Sequence, residues 1–324
     1  MPVLTVLEFF HGIGGLRAGL EKAEQEIALP VVTEVTAAFD ISSICADTYN
    51  HNFEPGKTFT RDVKSLPDSF FIENRSDLWT MSPPCQPYTK RGKELDAADP
   101  RAAGLKRLTN VLRTCPSAAL PFGILLENVP GFESSHSLSE LQDSLRIRGF
   151  SFVKHELCPT QFEIPNKRKR FYLVAVKSTK SNILGTARDP PGGHTERRLE
   201  EFLFGDPERD YYEEEYKLPA HYLRYQAALD VVTQSSTESD CFTGAYGRYA
   251  KGSGSVLSCG SHGMRLFSSK EITRLHDFPE LFEYPQHVSE LKRYQLVGNS
   301  VNVRVVAALS KDLLYAAAQA SQSS

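Results

Sequence analysis

A chain of 324 residues has room for about two folding units and a sizeable buried core, which excludes a short-peptide scaffold. Hydrophobic residues make up 40% of it and charged residues 24%, the balance of a globular rather than a disordered protein. Thirty-seven Lys and Arg against 40 Asp and Glu leave a net charge of −3, so the chain lacks the basic excess of a protein that coats nucleic acid unselectively, and any polyanion has to be gripped locally.

The first 177 residues alternate short apolar runs with helical patterns, the signature of βαβ units and of an α/β fold with a doubly wound, mainly parallel sheet. Val3 to Phe10 is the first strand. It ends in Gly12-Ile13-Gly14-Gly15, and Leu16, Leu20 and Ala23 follow at helical spacing. Val31 to Phe39 predicts a second strand ending at Asp40, Leu78 to Met81 a later one, Phe122 to Leu126 another and Phe171 to Val176 the last. Leu105, Leu108 and Leu112 share one helical face, as do Leu138, Leu141 and Leu145, and Ser137 with Glu140 predicts a capping box for the latter helix.

From Ser178 to about Met264 the pattern gives way to Pro, Gly and charged clusters, with nine acidic residues against three basic ones between Glu196 and Glu215. Helical periodicity returns at Ile272 and Leu275, and again through Val305, Leu309 and Leu313. The expected organisation is therefore a first domain over 1–177, a small irregular insertion over 178–264, and a segment over 265–324 that completes the first domain.

Six cysteines with no CxxC pair argue against a disulfide framework and a zinc ribbon, and fit a reducing compartment. The N-terminus has no basic leader region, and no apolar run approaches the ~20 residues that span a bilayer. A soluble protein of cytoplasm or nucleus is expected, with no membrane association.

A glycine-rich turn after the first strand of such a sheet is where the fold takes a nucleotide-like ligand, because glycine lets backbone N–H groups approach it. Phe10-His11-Gly12-Ile13-Gly14-Gly15 is not the GxGxxG of a pyrophosphate site, so a dinucleotide is not favoured. Asp40 is placed to accept ribose hydroxyls, although a tight turn and a helix-capping Asp would look the same.

Cys85 lies in Ser82-Pro83-Pro84-Cys85-Gln86-Pro87-Tyr88-Thr89, a proline-restrained loop at the carboxyl edge of the sheet. An inert buried cysteine is the alternative, but such a turn is poor core material. Glu127 ends the Phe122 strand at the same edge, where a carboxyl can work as a proton donor or cap a helix. Arg168 and Arg170 fall on one face of a strand, so both guanidinium forks can point at one ligand. Seven basic residues against three acidic ones between Lys90 and Arg113, among them Lys90, Arg91 and Arg101, form a local patch beside Cys85 suited to a phosphate backbone. A solvated charged helix accounts for them equally.

In this order the motifs resemble the cytosine-C5 methyltransferase family over most of the chain. Phe10-x-Gly12-x-Gly14-Gly15 is similar to its cofactor motif, Pro83-Pro84-Cys85-Gln86 to its nucleophile loop and Glu127-Asn128-Val129 to its carboxylate motif. Arg168-x-Arg170 is similar to its base-binding pair, and Gly298-Asn299-Ser300-Val301-Asn302-Val303 to its last motif. The resemblance implies the Rossmann-like fold of S-adenosylmethionine-dependent methyltransferases with a target-recognition insertion, and S-adenosylmethionine as cofactor. Phe10 would meet adenine, Gly12, Ile13, Gly14, Gly15 and Leu16 the methionine moiety and Asp40 the ribose, with Ile41 also in the cofactor pocket. Asp62 and Val63 would lie at the adenine edge, with Ser82, Asn299, Ser300 and Val301 completing the pocket. Cys85 would be the nucleophile at carbon 6, Glu127 would bind N3 and the exocyclic amine, and Arg170, assisted by Arg168, would hold O2. No metal is implied.

Within the family, Glu127-Asn128-Val129-Pro130-Gly131-Phe132-Glu133 and Cys241-Phe242-Thr243 resemble the small eukaryotic branch that methylates an anticodon-loop cytosine of tRNA-Asp. The lack of a regulatory domain ahead of the catalytic fold fits that branch, and Asn166 stands where many DNA-modifying members have Gln. The implied partner is tRNA, contacted by Gln86, Lys90, Arg91, Arg101, Cys241, Phe242 and Thr243 of a monomer. DNA is the alternative substrate. A catalytically silent nucleic-acid-binding protein is the third reading, against which Cys85, Glu127 and Arg170 speak.

Overall fold

The structure is a computed structural model that describes residues 3–88, 99–177, 195–205 and 209–322. It divides into two compact units, one made of Met1–Leu157, Lys169–Arg188 and Val306–Ser324 and the other of Cys158–Arg168 and Asp189–Val305. The second unit thus takes in 158–168 and 265–305 besides 189–264 of the expected insertion, whose first residues, 178–188, fall in the first unit. The reason is close packing: a Cβ on Gly298 would lie 2.2 Å from the Thr243 carbonyl carbon, so the late segment is moulded onto the inserted one.

The first unit is built on the strands β1 (Val3–Phe9), β2 (Val32–Asp40), β3 (Thr58–Thr60), β4 (Leu78–Met81), β5 (Gly123–Asn128), β6 (Phe150–Leu157) and β7 (Arg170–Lys177). Their order is β3-β2-β1-β4-β5-β7-β6. Neighbours pair in parallel from β3 to β5, and β7 runs antiparallel to both β5 and β6. The helices are α1 (Gly15–Glu26), α2 (Ser43–Asn52), α3 (Asp68–Glu73), α4 (Ala103–Thr114) and α5 (His136–Ile147).

β4 and β5 are buried at every residue, as central parallel strands covered on both faces must be. Leu105, Leu108 and Leu112 of α4 and Leu138, Leu141 and Leu145 of α5 join Phe9, Phe39, Phe71 and Trp79 in one core. Each such side chain contributes about 2 kcal/mol by leaving water. The cap of α5 differs from expectation: Ser135, not Ser137, accepts the Leu138 N–H at 3.0 Å.

Register brings the strand ends together. Phe9 pairs with Phe39 and Met81, and Met81 with Leu126. The residues one step beyond, Phe10, Asp40, Ser82 and Glu127, therefore line one carboxyl edge.

The second unit holds a small sheet of β8 (Val231–Val232), β9 (Val256–Ser258) and β10 (Met264–Arg265), in the order β10-β9-β8. Its helices are α6 (Arg209–Glu215), α7 (Ala220–Leu223), α8 (Ser269–Leu275) and α9 (Glu290–Gly298). Phe242, Tyr246, Phe267 and Tyr294 form its aromatic core, with Phe242 and Phe267 ring centres 5.0 Å apart. The buried Arg265 meets the buried Glu271 through bonds of 2.8 and 2.7 Å, and Glu271 also accepts the Ser268 N–H in the capping box of α8. In the final helix α10 (Val303–Gln322), Val306 packs on α1 of the first unit so tightly that a Cβ on Gly19 would lie 2.2 Å from it.

Candidate active site

The loop after β1 carries three left-handed residues in five, Phe10 (φ 58), Gly12 (φ 53) and Gly14 (φ 88). Gly14 has to be glycine twice over, since a Cβ there would also sit 2.3 Å from the Phe53 ring. As N-cap of α1 it offers no side-chain oxygen and the first turn holds no acid; the buried Glu8 carboxylate meets the Arg17 N–H, and the N–H groups of Gly15 and Leu16 remain for an external anion. Ile13, Gly15 and Leu16 are buried behind the loop.

Asp40 braces it. One carboxylate oxygen accepts the Gly12 N–H at 3.0 Å and the other the Ser42 N–H at 2.9 Å, leaving each a lone pair for a ligand hydroxyl. Ile41 beside it is 72% exposed, an apolar side chain that none of the described residues covers. The Phe10 ring and Val63 both approach Gly104 of α4, where a Cβ would come 2.8 Å from Phe10 and 3.6 Å from Val63. Asp62 caps the short turn Val63–Ser65 by accepting the Lys64 N–H. Apolar faces, a free-handed carboxylate and an uncapped helix N-terminus together fit a ligand with a flat ring, hydroxyls and a terminal carboxylate.

Glu8 lies directly behind this loop, fully buried on β1. It accepts a 2.8 Å bond from the Tyr49 hydroxyl, and burial pushes its carboxyl from the ordinary 4.5 up to about 7. Burial likewise lowers the pKa of His11, which stacks edge-on against Tyr49.

Ser82, Cys85 and Glu127 meet at the next two strand ends. Ser82 Oγ donates to Glu127 Oε2 at 2.6 Å, and Arg170 Nε lies 3.4 Å from Glu127 Oε1, so both oxygens of this buried carboxylate face donors. Asn128 Nδ2 holds the Pro83 carbonyl at 3.1 Å, tying the proline loop to β5. The Tyr88 N–H closes a turn on the Cys85 carbonyl at 2.9 Å, and the Tyr88 ring rests on Phe132. Cys85 is left half-exposed on this scaffold, whereas Cys115 is sealed in the core. Arg101, clamped by Asp99 through bonds of 2.9 and 2.7 Å, brings its positive charge into range of the Cys85 thiol. That clamp holds the Asp99 carboxyl down to about 2. Gln86 is exposed, while Lys90 and Arg91 lie outside the described residues.

The two arginines expected to act as a pair part company. Arg170, at the head of β7, serves Glu127 in the first unit. Arg168 is buried in the second, where its guanidinium donates to the carbonyls of Phe242 (3.0 Å), Gly298 (3.1 Å) and Ser300 and meets Cys241 Sγ at 3.4 Å. A fork occupied by main-chain oxygens organises the segment around it. Phe242, expected among the substrate contacts, is core instead, its ring fully buried. The Thr243 N–H is held by the Ser253 carbonyl, and Gly244 lies close against Asn299. Ser300 and Val301 are buried in the same unit. Asn166 is buried too, donating to Ser239 Oγ and the Asp240 carbonyl.

Sequence reasoning missed Ser82 as a partner of Glu127. The signal was available, because the two residues directly follow the paired Met81 and Leu126. It also missed the Glu8–Tyr49 bond, which joins elements 41 positions apart. Among the described residues no group of His, Cys, Asp and Glu could hold a metal ion.

Residues 4–314 match the family described as C-5 cytosine-specific DNA methylase. A Schizosaccharomyces pombe protein named tRNA (cytosine(38)-C(5))-methyltransferase is 32% identical over 333 residues, covering 96% of this chain and 97% of that protein. A Dictyostelium discoideum protein named DNA (cytosine-5)-methyltransferase is 31% identical over 375 residues, covering 97% of this chain and 95% of its own. The crystal structure of S. pombe Dnmt2 methyltransferase superposes with a TM-score of 0.82 at 29% identity, covering 97% of this chain and 99% of that one.

Proposed function

We propose, since this chain belongs to the C-5 cytosine-specific DNA methylase family, that it methylates carbon 5 of cytosine 38 in the anticodon loop of tRNA-Asp, with S-adenosylmethionine as donor. The observation that carries this reading is the half-exposed Cys85 set at the same sheet edge as a buried Glu127 held by Ser82 and Arg170. The S. pombe relative named for tRNA, matched nearly end to end, supports RNA as the substrate. The Dictyostelium relative named for DNA keeps duplex DNA as the second reading.

S-adenosylmethionine supplies an electrophilic methyl group when bound. Asp40 would take its ribose hydroxyls, Ile41 and Phe10 would cover the adenine, and the N–H groups at the start of α1 would face its carboxylate. Carbon 5 of cytosine is too weak a nucleophile unaided. In the proposed chemistry the Cys85 thiolate bonds to carbon 6 and drives an electron pair to carbon 5. Glu127 binds the N3 and amine edge and Arg170 the O2, placing fixed partners where charge develops. Loss of the carbon 5 proton and departure of the sulfur restore the ring. An anticodon loop offers this base partly unstacked, at less cost than a duplex. The second unit would serve target recognition, with the protein acting as a monomer.

The test is bisulfite sequencing of tRNA and duplex DNA incubated side by side with the protein and cofactor. Conversion-resistant cytosine 38 in tRNA-Asp is expected. Methylation of the duplex alone would overturn the choice of RNA, and no methylation of either by cofactor-binding protein would overturn the chemistry.

A further inference from the structure

Residues 216–229 and 241–270 contain no Asp or Glu, a local contrast with the acidic run before them. In the second unit the structure pins these two segments together. The buried Tyr222, at the end of α7, donates its hydroxyl to the Tyr249 carbonyl at 3.3 Å, and Ser253 Oγ donates to that same carbonyl at 2.5 Å. The Arg248 and Tyr249 N–H groups close a tight turn on the Ala245 carbonyl, and the Tyr225 N–H closes another on Tyr222.

Two tyrosines of the pinned segments are open to solvent, Tyr225, 55% exposed, and Tyr249, 67% exposed. Arg224, Arg248 and Lys251 are exposed beside them. Among the described residues none of these three cations has an ion-pair partner. Unpaired cations alternating with open aromatic faces match the chemistry of an unstacked polynucleotide, in which phosphates and ring faces alternate. A duplex conceals its ring faces, and an acidic protein would leave the tyrosines without a role.

We propose that this face takes a single-stranded part of the tRNA substrate, with Tyr225 and Tyr249 as stacking platforms and Arg224, Arg248 and Lys251 on the phosphates. The inference rests on the RNA reading above and adds a gripping surface built by the inserted region.

The full chain and a tRNA-Asp transcript test it by fluorescence anisotropy across a salt series. Replacing Arg224, Arg248 and Lys251 together by Ala should flatten the slope of log K against log salt by about 2, at ~0.7 per phosphate contact on single strands. Tyr249→Ala should weaken binding about tenfold, whereas Tyr249→Phe, which keeps the ring, should bind as the parent does. Turnover at saturating tRNA should be unchanged, so the loss falls on KM. Calorimetric titration with cofactor should be unaltered, which excludes misfolding. If the parent methylates tRNA and the variants keep its affinity and slope, the face is wrong and the RNA reading stands. If Tyr249→Phe loses as much as Tyr249→Ala, stacking is wrong. A parent that methylates only duplex DNA removes the reading and the inference with it.

Discussion

Ser82 Oγ lies 2.6 Å from Glu127 Oε2, a bond between two residues 45 positions apart that is fixed by the pairing of Met81 with Leu126. Ser82→Ala is expected to lower kcat by about ten- to a hundredfold, the worth of a hydrogen bond to a charged group, while KM for the cofactor stays unchanged. Ser82→Thr keeps the hydroxyl and should restore most of the rate. Loss of cofactor affinity with kcat intact would instead make Ser82 a cofactor contact.

Cys85→Ala is expected to abolish methyl transfer while cofactor binding, followed by calorimetry, persists. The parent should form an adduct with 5-fluorocytosine RNA that survives denaturing electrophoresis, and the variant should not. Residual turnover without the thiol would remove Cys85 from the reaction.

Gly14→Ala is expected to destabilise the first unit by about 2 to 4 kcal/mol, from a left-handed φ of 88 and a methyl group 2.3 Å from the Phe53 ring. Denaturant unfolding measures this, and an unshifted midpoint would show that the loop yields freely. Cofactor affinity should fall in parallel, because the turn aims the first N–H groups of α1.

Glu8 gives stability a pH dependence whose sign is opposite to that of a salt-bridged carboxylate. Its folded pKa, about 7, exceeds the ordinary 4.5, so the native state retains a proton that the unfolded chain releases. Its environment penalises the charged form, and stability falls as pH rises from about 4.5 to 7. Arg17, Glu21 and Tyr49 are the charged and titratable groups around it. Glu8→Gln should gain stability over the parent by up to about 3 kcal/mol at pH 8, with most of that gain absent at pH 5. A gain independent of pH would exclude Glu8 as the titrating group.

The parts of the molecule legible in the sequence are those governed by periodicity. The central strands β1, β2, β4, β5 and β7 and the Leu stripes of α4 and α5 all announce themselves as apolar runs or helical spacing. β3 and β6 are edge strands, and Lys154, His155 and Glu156 interrupt the alternation of β6, so neither looks apolar enough to be noticed. α2 buries the near-contiguous Ala46, Thr48 and Tyr49 rather than a stripe. At the site, Asp40 and Glu127 are legible as residues at strand ends and Cys85 from its proline-flanked loop, whereas Phe10 is singled out only by the resemblance of its motif. Arg168 was misjudged because spacing reports which face of a strand a residue takes, and Arg168 lies just before β7 among carbonyls contributed from far along the chain.

That distance bears on the order of biosynthesis. The carbonyls holding Arg168 belong to residues 74, 130 and 132 positions downstream. At ribosomal speeds of ~5–20 residues per second, the guanidinium waits on the order of ten seconds for them. The start of the insertion therefore leaves the exit tunnel before any of this tether exists, and a nascent chain cut short before Phe242 carries a stranded cation where the finished protein has one held by three main-chain carbonyls.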